Sequence, residues 1–119
     1  MTDRDLLISI YAAFNRRDID AVLTHMHSEV DWPNGMEGGR VHGKEAVRQY
    51  WQRQWRQIDP RVEPQDFSTD ESGATIVDVH QVIRDLSGNV LADSMVRHVY
   101  RMRDGLIYSM EIRDLAAKA

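Results

Sequence analysis

His98 is the side chain in this sequence that is best suited to acid–base chemistry. It lies in the strand-like run between two turn signals, at 86–89 and 103–105, on the face that collects apolar residues. An imidazole has an unperturbed pKa near neutrality, so in an apolar hollow it could act as a general base or acid. A core histidine bonded to Tyr108 or to a backbone carbonyl fits the same pattern. Asp114 could orient the ring and raise its basicity, or be a rim carboxylate exposed to water.

A second group of residues has the character of a ligand-binding wall. The chain contains 3 tryptophans, and aromatic walls with few polar groups are what small apolar ligands require. The predicted ligand-binding residues are Phe14, Trp32, Met36, Trp51, Trp55, Gln81, Ser94, Tyr100, Met110 and Ile112. Tyr100 could donate a hydrogen bond to a ligand carbonyl, and Gln81 and Ser94 could hold a polar end. The alternative in each case is ordinary packing, with Tyr100 against Tyr108 and Gln81 bonded to Ser94.

Patterns for metal and nucleotide sites do not emerge from the sequence. There are 0 cysteines, which excludes disulfides, thiolate metal sites and cysteine nucleophiles. His25 and His27 would point in different directions on a helix, and His42 lies in a distant loop. The glycine-rich segment 34–43 has no strand-to-helix phosphate motif. We therefore expect neither a metal nor a cofactor.

The candidate residues depend on three strand-like runs between residues 74 and 114. Two turn signals separate the runs, Leu86-Ser87-Gly88-Asn89 and Arg103-Asp104-Gly105. Glycine and asparagine accept the positive φ of tight hairpin turns, so the runs predict a three-stranded antiparallel meander. A two-residue turn at Ser87-Gly88 places Val77 opposite His98.

A three-residue turn at 103–105 predicts the second register, with His98 opposite Met110 and Val96 opposite Ile112. The two registers together assign an apolar inward face. Its members are Val77, Val79, Ile83, Val96, Tyr100, Met102, Leu106, Tyr108, Met110 and Ile112. Slipping either turn by one residue would mix this set with the charged residues of the other face. His98 falls on the inward face, together with Gln81, Ser94 and Asp114.

Helices come first in the chain. Apolar spacing predicts a helix from Thr2 to about Asn15, a short helix capped by Asp18, and an aromatic helix from Lys44 to before Asp59. A brief strand is expected at 29–33, and an irregular edge strand with two prolines at 60–72. The segment 34–43 is predicted to be a loop that forms a mobile flap over a pocket, with Met36 as an apolar contact.

Composition and charge narrow the class of partner. The net charge of -4 and the pI near 5.7 argue against a nucleic-acid surface, which usually carries a basic patch. The sequence has no apolar run of membrane-spanning length and no signal-peptide pattern, so we expect no membrane partner and a cytoplasmic location.

Strands that follow helices predict an α+β fold with the helices packed on one face of an antiparallel sheet. The segments YAAFNRRDIDAVLTHMHSEVDW, GKEAVRQYW and HVYRMRDGLIYSMEIRD resemble the nuclear transport factor 2-like superfamily, in its SnoaL-like and ketosteroid-isomerase-like branch. The resemblance implies one domain over 1–119. It also implies a conical barrel, in which a strongly curved mixed, mainly antiparallel sheet wraps around three N-terminal helices and an interior pocket. A homodimer through the outer sheet face is expected, where Val82, Leu91, Met95, Val99 and Ile107 would lie.

The resemblance does not extend to a complete catalytic set. The tyrosine, base and late-strand aspartate of a ketosteroid isomerase fall on Ile10, Asn34 and His98, and asparagine cannot abstract a proton at neutral pH. The aspartate, arginine, aspartate set of the related epoxide hydrolases is not reproduced at Asp78, His80 and Ile112. Neither activity is expected.

Two functions of different classes remain. One is a pocket protein for a small apolar or aromatic, carbonyl-containing molecule, acting as a cofactor-free isomerase, cyclase or hydrolase with His98 as general acid/base. The other is a non-catalytic ligand-binding or dimerisation module of the same fold.

Overall fold

The computed structural model describes residues 2–115, which form three helices and six strands. They are α1 (Asp3–Asn15), α2 (Ile19–Leu23), β1 (Met26–Pro33), β2 (Arg40–His42), α3 (Lys44–Gln54), β3 (Ile58–Thr69), β4 (Thr75–Asp85), β5 (Val90–Arg103) and β6 (Leu106–Asp114). None of the helices in this range is both long and apolar enough to span a bilayer.

The first two helices begin at the predicted capping residues. The Thr2 hydroxyl accepts a hydrogen bond from the backbone N–H of Asp5 at 3.1 Å, and the Asp18 carboxylate accepts one from Ala21 at 3.2 Å. Each side chain pairs a backbone donor that has no partner within its own helix. The chain leaves α1 through Arg17, whose φ of 66° is incompatible with a right-handed helix.

The third helix is shorter than predicted. It begins after Gly43, where a φ of 88° lets the chain turn into the helix. It ends at Gln54 rather than just before Asp59, because Ile58 already pairs with β4 as the first residue of β3.

All six strands belong to one curved, open sheet in the order β2-β1-β6-β5-β4-β3. β1 runs parallel to β6, and every other neighbouring pair is antiparallel. The predicted α+β class and mainly antiparallel sheet are confirmed, although the sheet does not close into a complete barrel. Residues 40–42, predicted as part of a loop, form β2 and pair with β1.

The predicted register between β4 and β5 is confirmed, and Val77 lies opposite His98. The loop has three residues, 86–88, instead of two, and Leu91 bulges out of β5 between the neighbours that pair with β4. The bulge adds the residue that compensates for the longer loop, so all pairings beyond it keep the predicted register.

The predicted register between β5 and β6 is wrong. Asp104 and Gly105 have positive φ values of 55° and 76° and form a two-residue turn instead of a three-residue one. Tyr108 is the extra residue of a bulge in β6. Because of these two changes, His98 lies opposite Ile112 and not opposite Met110.

The main core lies between the helices and the inward face of the sheet. Its fully buried members include Leu7, Met26, Val47, Val77, Val79, Tyr100, Ile107 and Met110. Ile107 was predicted on the outer face, but the two-residue turn pairs it with Met102, which packs against the core. The bulge at Tyr108 then keeps Met110 on the same inward face. Val99, also predicted on the outer face, is buried with Ala74 and Ile76 in a second, smaller cluster. The outer face is thus less apolar and less exposed than the sequence predicted.

Asn15 connects the end of α1 to β3. Its Nδ2 donates to the carbonyl oxygen of Val62 at 2.8 Å, and its Oδ1 accepts from the N–H of Val62 at 3.0 Å. Two residues further on, Arg17 Nη2 donates to the carbonyl oxygen of Pro60 at 2.7 Å. One amide side chain therefore pairs both backbone polar groups of a buried strand residue.

We expect Asn15→Ala to lower the free energy of unfolding by about 2 kcal/mol, because both backbone groups of Val62 lose their partner in a partly buried setting. Chemical denaturation at neutral pH measures this loss. Gln65→Ala is the matched control, since the Gln65 amide makes one exposed hydrogen bond. Equal stability of the two variants would show that water replaces Asn15 at little cost.

Candidate functional site

A cavity of about 180 Å³ lies between the helices and the inward face of the sheet. Most of the residues predicted from the sequence line it, namely Phe14, Trp32, Met36, Trp51, Gln81, His98, Tyr100, Met110 and Ile112. Three predicted residues, Trp55, Ser94 and Asp114, are not part of the lining.

Aromatic side chains build one wall of the cavity. The ring of Trp51 packs edge-on against Phe14, with 5.3 Å between centroids, and against Trp32, with 5.5 Å. Trp55 stacks on Trp51 with 5.9 Å between centroids, and the Arg17 guanidinium lies 5.0 Å from the Trp55 ring. Trp55 therefore supports the wall through Trp51 rather than facing the cavity.

His98 is held by a chain of hydroxyl groups. Its Nδ1 lies 2.7 Å from the Tyr11 hydroxyl, and the Tyr100 hydroxyl donates to the Tyr11 hydroxyl at 2.8 Å. The Tyr11 and His98 rings also stack, with 5.8 Å between centroids and an interplanar angle of 14°. His98 is 5% exposed, and its Nε2 is buried without a hydrogen-bond partner among the described residues.

Burial sets the protonation states of this group. Desolvation disfavours the charged form of each side chain, so it lowers the pKa of His98 to about 4. Burial also raises the pKa of Tyr100, and burial together with the neighbouring Tyr100 raises the pKa of Tyr11 well above its usual value. At neutral pH the imidazole is therefore uncharged, and both tyrosines keep their protons.

Two interpretations of His98 need correction. Its partner is Tyr11 and not Tyr108, which packs edge-on against His27 instead. Asp114 does not orient the ring either, because it is exposed and lies opposite Val96 at the end of β6. Ser94 sits opposite Gln81 as expected but is exposed, so only Gln81 presents a polar group to the cavity from that pair.

Tyr11 is the site residue that sequence reasoning missed. The tyrosine position of the ketosteroid isomerases falls on the neighbouring Ile10, and both Ile10 and Tyr11 line the cavity. The available signal was the helical spacing of Leu7, Tyr11 and Phe14, which puts all three on one helix face. The contact with His98 spans 87 positions along the chain, and no local pattern encodes such a contact.

The loop after β1 is tied to α3. The Asn34 side chain accepts from Glu37 N and donates to Glu37 Oε1, each at 2.9 Å. Arg53 donates to the same carboxylate oxygen at 3.1 Å, and Tyr50 Oη accepts from Gly35 N at 3.0 Å. The hydrogen bonds from Asn34 and Arg53 lower the pKa of Glu37. Asn34 therefore organises this loop and is not one of the residues that line the cavity.

The side chains that line the cavity carry no formal charge. None of its residues is Asp, Glu, Lys or Arg, and its polar side chains are His98, three tyrosines and two glutamines. Within residues 2–115 no group of three or more His, Asp or Glu side chains is placed to hold a metal ion. The chemistry available to the cavity is thus hydrogen bonding in an apolar setting.

The SnoaL-like domain model matches residues 8–110 of the chain. No curated protein matches closely enough for a function to be transferred from it.

Solved structures show the same fold over almost the entire chain. TerC, crystallised with polyporic acid, is 27% identical with a TM-score of 0.78, covering 91% of this chain and 87% of TerC. A protein of unknown function from Burkholderia pseudomallei, described as NTF2-like, is 25% identical with a TM-score of 0.82, covering 96% and 92%. A protein from Catenulispora acidiphila with a ketosteroid isomerase-like fold, in complex with trimethylamine, is 14% identical with a TM-score of 0.80, covering 97% and 89%.

Proposed function

Since the chain belongs to the SnoaL-like domain family within the nuclear transport factor 2-like superfamily, we propose that its cavity binds a small hydrophobic or aromatic molecule with a carbonyl group. One observation carries the proposal: the Nε2 atom of His98 is buried without a partner, in a side chain that lines a largely apolar cavity. Buried polar groups are normally paired, and a polar atom of the ligand would complete this pairing.

The size of the cavity favours a ligand of about one ring. Its volume is about 180 Å³, and a dry engineered cavity of about 150 Å³ is sufficient for benzene. The aromatic wall of Phe14, Trp32 and Trp51 offers ring faces and edges to such a molecule. The similarity to TerC, which was crystallised with polyporic acid, supports a small-molecule ligand.

The absence of charged side chains from the lining favours a neutral ligand. An ionised ligand would lose its hydration without gaining an ion pair, which is costly in an apolar setting. A carbonyl compound is neutral, and its oxygen can accept one hydrogen bond from Nε2 of His98 when that nitrogen carries the proton. Gln81 provides a second polar contact for a ligand that carries another polar group.

Catalysis by a cofactor-free isomerase, cyclase or hydrolase is the second candidate, and the hydrogen-bonded His98 favours it. A neutral imidazole held by Tyr11 can polarise a carbonyl group by donating a hydrogen bond. No carboxylate lines the cavity to abstract a proton, so the arrangement supports carbonyl polarisation better than acid–base catalysis by His98. Turnover of a bound carbonyl compound would separate an enzyme from a non-catalytic binding module.

We expect His98→Leu to weaken the binding of cyclohexanone by about tenfold, the equivalent of about 1.4 kcal/mol for one hydrogen bond. Leucine keeps the approximate volume and apolar contacts but has no donor. Quenching of tryptophan fluorescence measures the affinity, because Trp32 and Trp51 line the cavity. His42→Leu, at an exposed position, is the matched control. Failure of single-ring ketones to bind the wild-type protein would refute the proposed function.

A homodimer through the outer sheet face is also part of this proposal. Met95 and Leu91 remain 38% and 59% exposed, and Val82 is half-buried, so apolar side chains are available for a self-complementary interface. Light scattering after gel filtration would compare the wild-type protein with Met95→Lys, and a dimer that persists unchanged in the variant would place the interface elsewhere.

A further inference from the structure

The hydrogen bonds around His98 constrain which ring nitrogen carries the proton. Tyr11 Oη has two polar neighbours, the Tyr100 hydroxyl at 2.8 Å and Nδ1 of His98 at 2.7 Å. Tyr11 and Tyr100 are 3% and 1% exposed, and their hydroxyl groups make no other side-chain hydrogen bond among the described residues. Each hydroxyl has a single proton to donate.

The two neutral tautomers of His98 leave different numbers of polar groups unpaired. If Nδ1 lacks the proton, Tyr100 donates to Tyr11 and Tyr11 donates to Nδ1, which leaves only the Nε2–H without a partner. If Nδ1 carries the proton, it donates to Tyr11, and one tyrosine proton then has no acceptor. The lone pair of Nε2 is also unpaired in that case. Buried unpaired groups are destabilising, so the first arrangement is favoured.

We propose that Tyr11 is a positioning residue that holds His98 as the Nε2–H tautomer, so that the cavity selects ligands that accept a hydrogen bond. This selectivity rests on the proposed function, whereas the tautomer itself is a property of the ligand-free protein. A carbonyl oxygen pairs the Nε2–H and leaves nothing unpaired. An alcohol of the same shape can also accept this bond, but its own proton must find a second acceptor within the cavity.

The low basicity of the buried ring supports this assignment. Burial lowers the pKa of His98 to about 4, so at neutral pH the choice lies between the two neutral tautomers and not between neutral and charged rings. Tyr100 acts on Tyr11 rather than on the ring. Its donated hydrogen bond takes one lone pair of the Tyr11 oxygen, and the Tyr11 proton then has Nδ1 of His98 as its acceptor at 2.7 Å.

Nitrogen-15 NMR of the ligand-free protein, labelled at histidine, tests the tautomer directly at neutral pH. We expect the His98 signals to show a protonated Nε2 and an unprotonated Nδ1. In Tyr11→Phe the constraint on Nδ1 is lost, and the signals should shift toward a mixture of both tautomers. Tyr100→Phe retains the bond from Tyr11 to Nδ1 and should keep the Nε2–H form. Tyr108→Phe, at a residue outside this group of hydrogen bonds, is the matched control.

A protonated Nδ1 in the wild-type protein would overturn the proposal, and so would a Tyr11→Phe spectrum identical to that of the wild type. The wild-type spectrum alone decides the tautomer if Tyr11→Phe does not fold.

A ligand experiment separates the failure of this inference from that of the proposed function. We expect the wild-type protein to bind cyclohexanone at least several-fold more tightly than cyclohexanol, and Tyr11→Phe to narrow this ratio. If neither compound binds while Nε2 is protonated, the proposed function fails and the tautomer assignment stands. If cyclohexanone binds while Nδ1 is protonated, the proposed function stands and this inference fails.

Discussion

Lowering the pH from 6.5 to 4 will reduce the free energy of unfolding of the wild-type protein by about 3 kcal/mol through His98 alone. The pKa of this histidine is near 6.5 when the chain is unfolded and about 4 when it is folded. Between these values the unfolded state binds the proton and the folded state does not, so stability falls as the pH falls. Each unit of pKa difference corresponds to about 1.4 kcal/mol. The loss begins near pH 6.5, is complete near pH 4, and is absent above neutrality.

Urea denaturation of the wild-type protein and of His98→Gln, across this pH range, measures the effect. Glutamine does not titrate and can still accept a hydrogen bond from Tyr11, so the two stability curves should diverge below pH 6.5. Asp78 and Asp85 add an acid-dependent loss of their own, because their hydrogen bonds lower their pKa values. That loss is common to both proteins and cancels in the difference. Parallel curves would show that His98 is solvated or charged in the folded state.

Ile107→Ala will lower the free energy of unfolding by about 3 kcal/mol, as expected for truncation of a fully buried aliphatic side chain. Ile107 has 0% of its surface exposed and belongs to the main core. The register predicted from the sequence, with a three-residue turn and no bulge, would place this side chain on the outer face, where the same substitution would change stability by less than about 0.5 kcal/mol. The stability of this variant therefore tests the pairing of β5 with β6 as well as the core.

Leu86→Ala is the matched control for Ile107→Ala. Leu86 is also a large aliphatic residue in the meander, but it is 64% exposed, lies outside the proposed dimer interface and should tolerate truncation. Thermal or chemical unfolding of both variants measures the contrast. Similar small losses for the two would contradict the observed pairing of β5 with β6.

Most of the meander was predictable because side-chain alternation and turn residues agree along β4 and β5. The register between β5 and β6 was not, because Leu106, Ile107 and Tyr108 are all apolar, and the pattern does not reveal which of them bulges. The prediction that Met110 points inward was nevertheless correct. The shorter turn and the bulge together displace the far pairings by two residues, and a displacement of two preserves the face.

The candidate site was predictable in its composition but not in its connections. The alternation of side chains along β5 predicted that His98 and Tyr100 point inward, and the apolar face of α3 predicted the same for Trp51. The contact between Tyr11 and His98 depends on how α1 crosses the sheet, and helix packing angles are not encoded in one strand or one helix. The alternation along β6 correctly put Asp114 on the same face as Ile112. Asp114 is the last residue of β6, however, and its side chain is exposed at the end of the sheet.

The prolines of β3 and the Asn15 side chain affect whether a strand of another molecule can pair with the β3 edge of the sheet. An edge strand exposes every second backbone N–H to any strand that approaches, and such edges are where sheets join. Asn15 bonds both backbone groups of Val62, so these groups point away from β4. Pro60 and Pro64 share this outward alternation and have no N–H to offer. From Pro60 to Pro64 this edge therefore presents no free backbone N–H, which disfavours the addition of another strand there and protects this part of the edge from edge-to-edge aggregation.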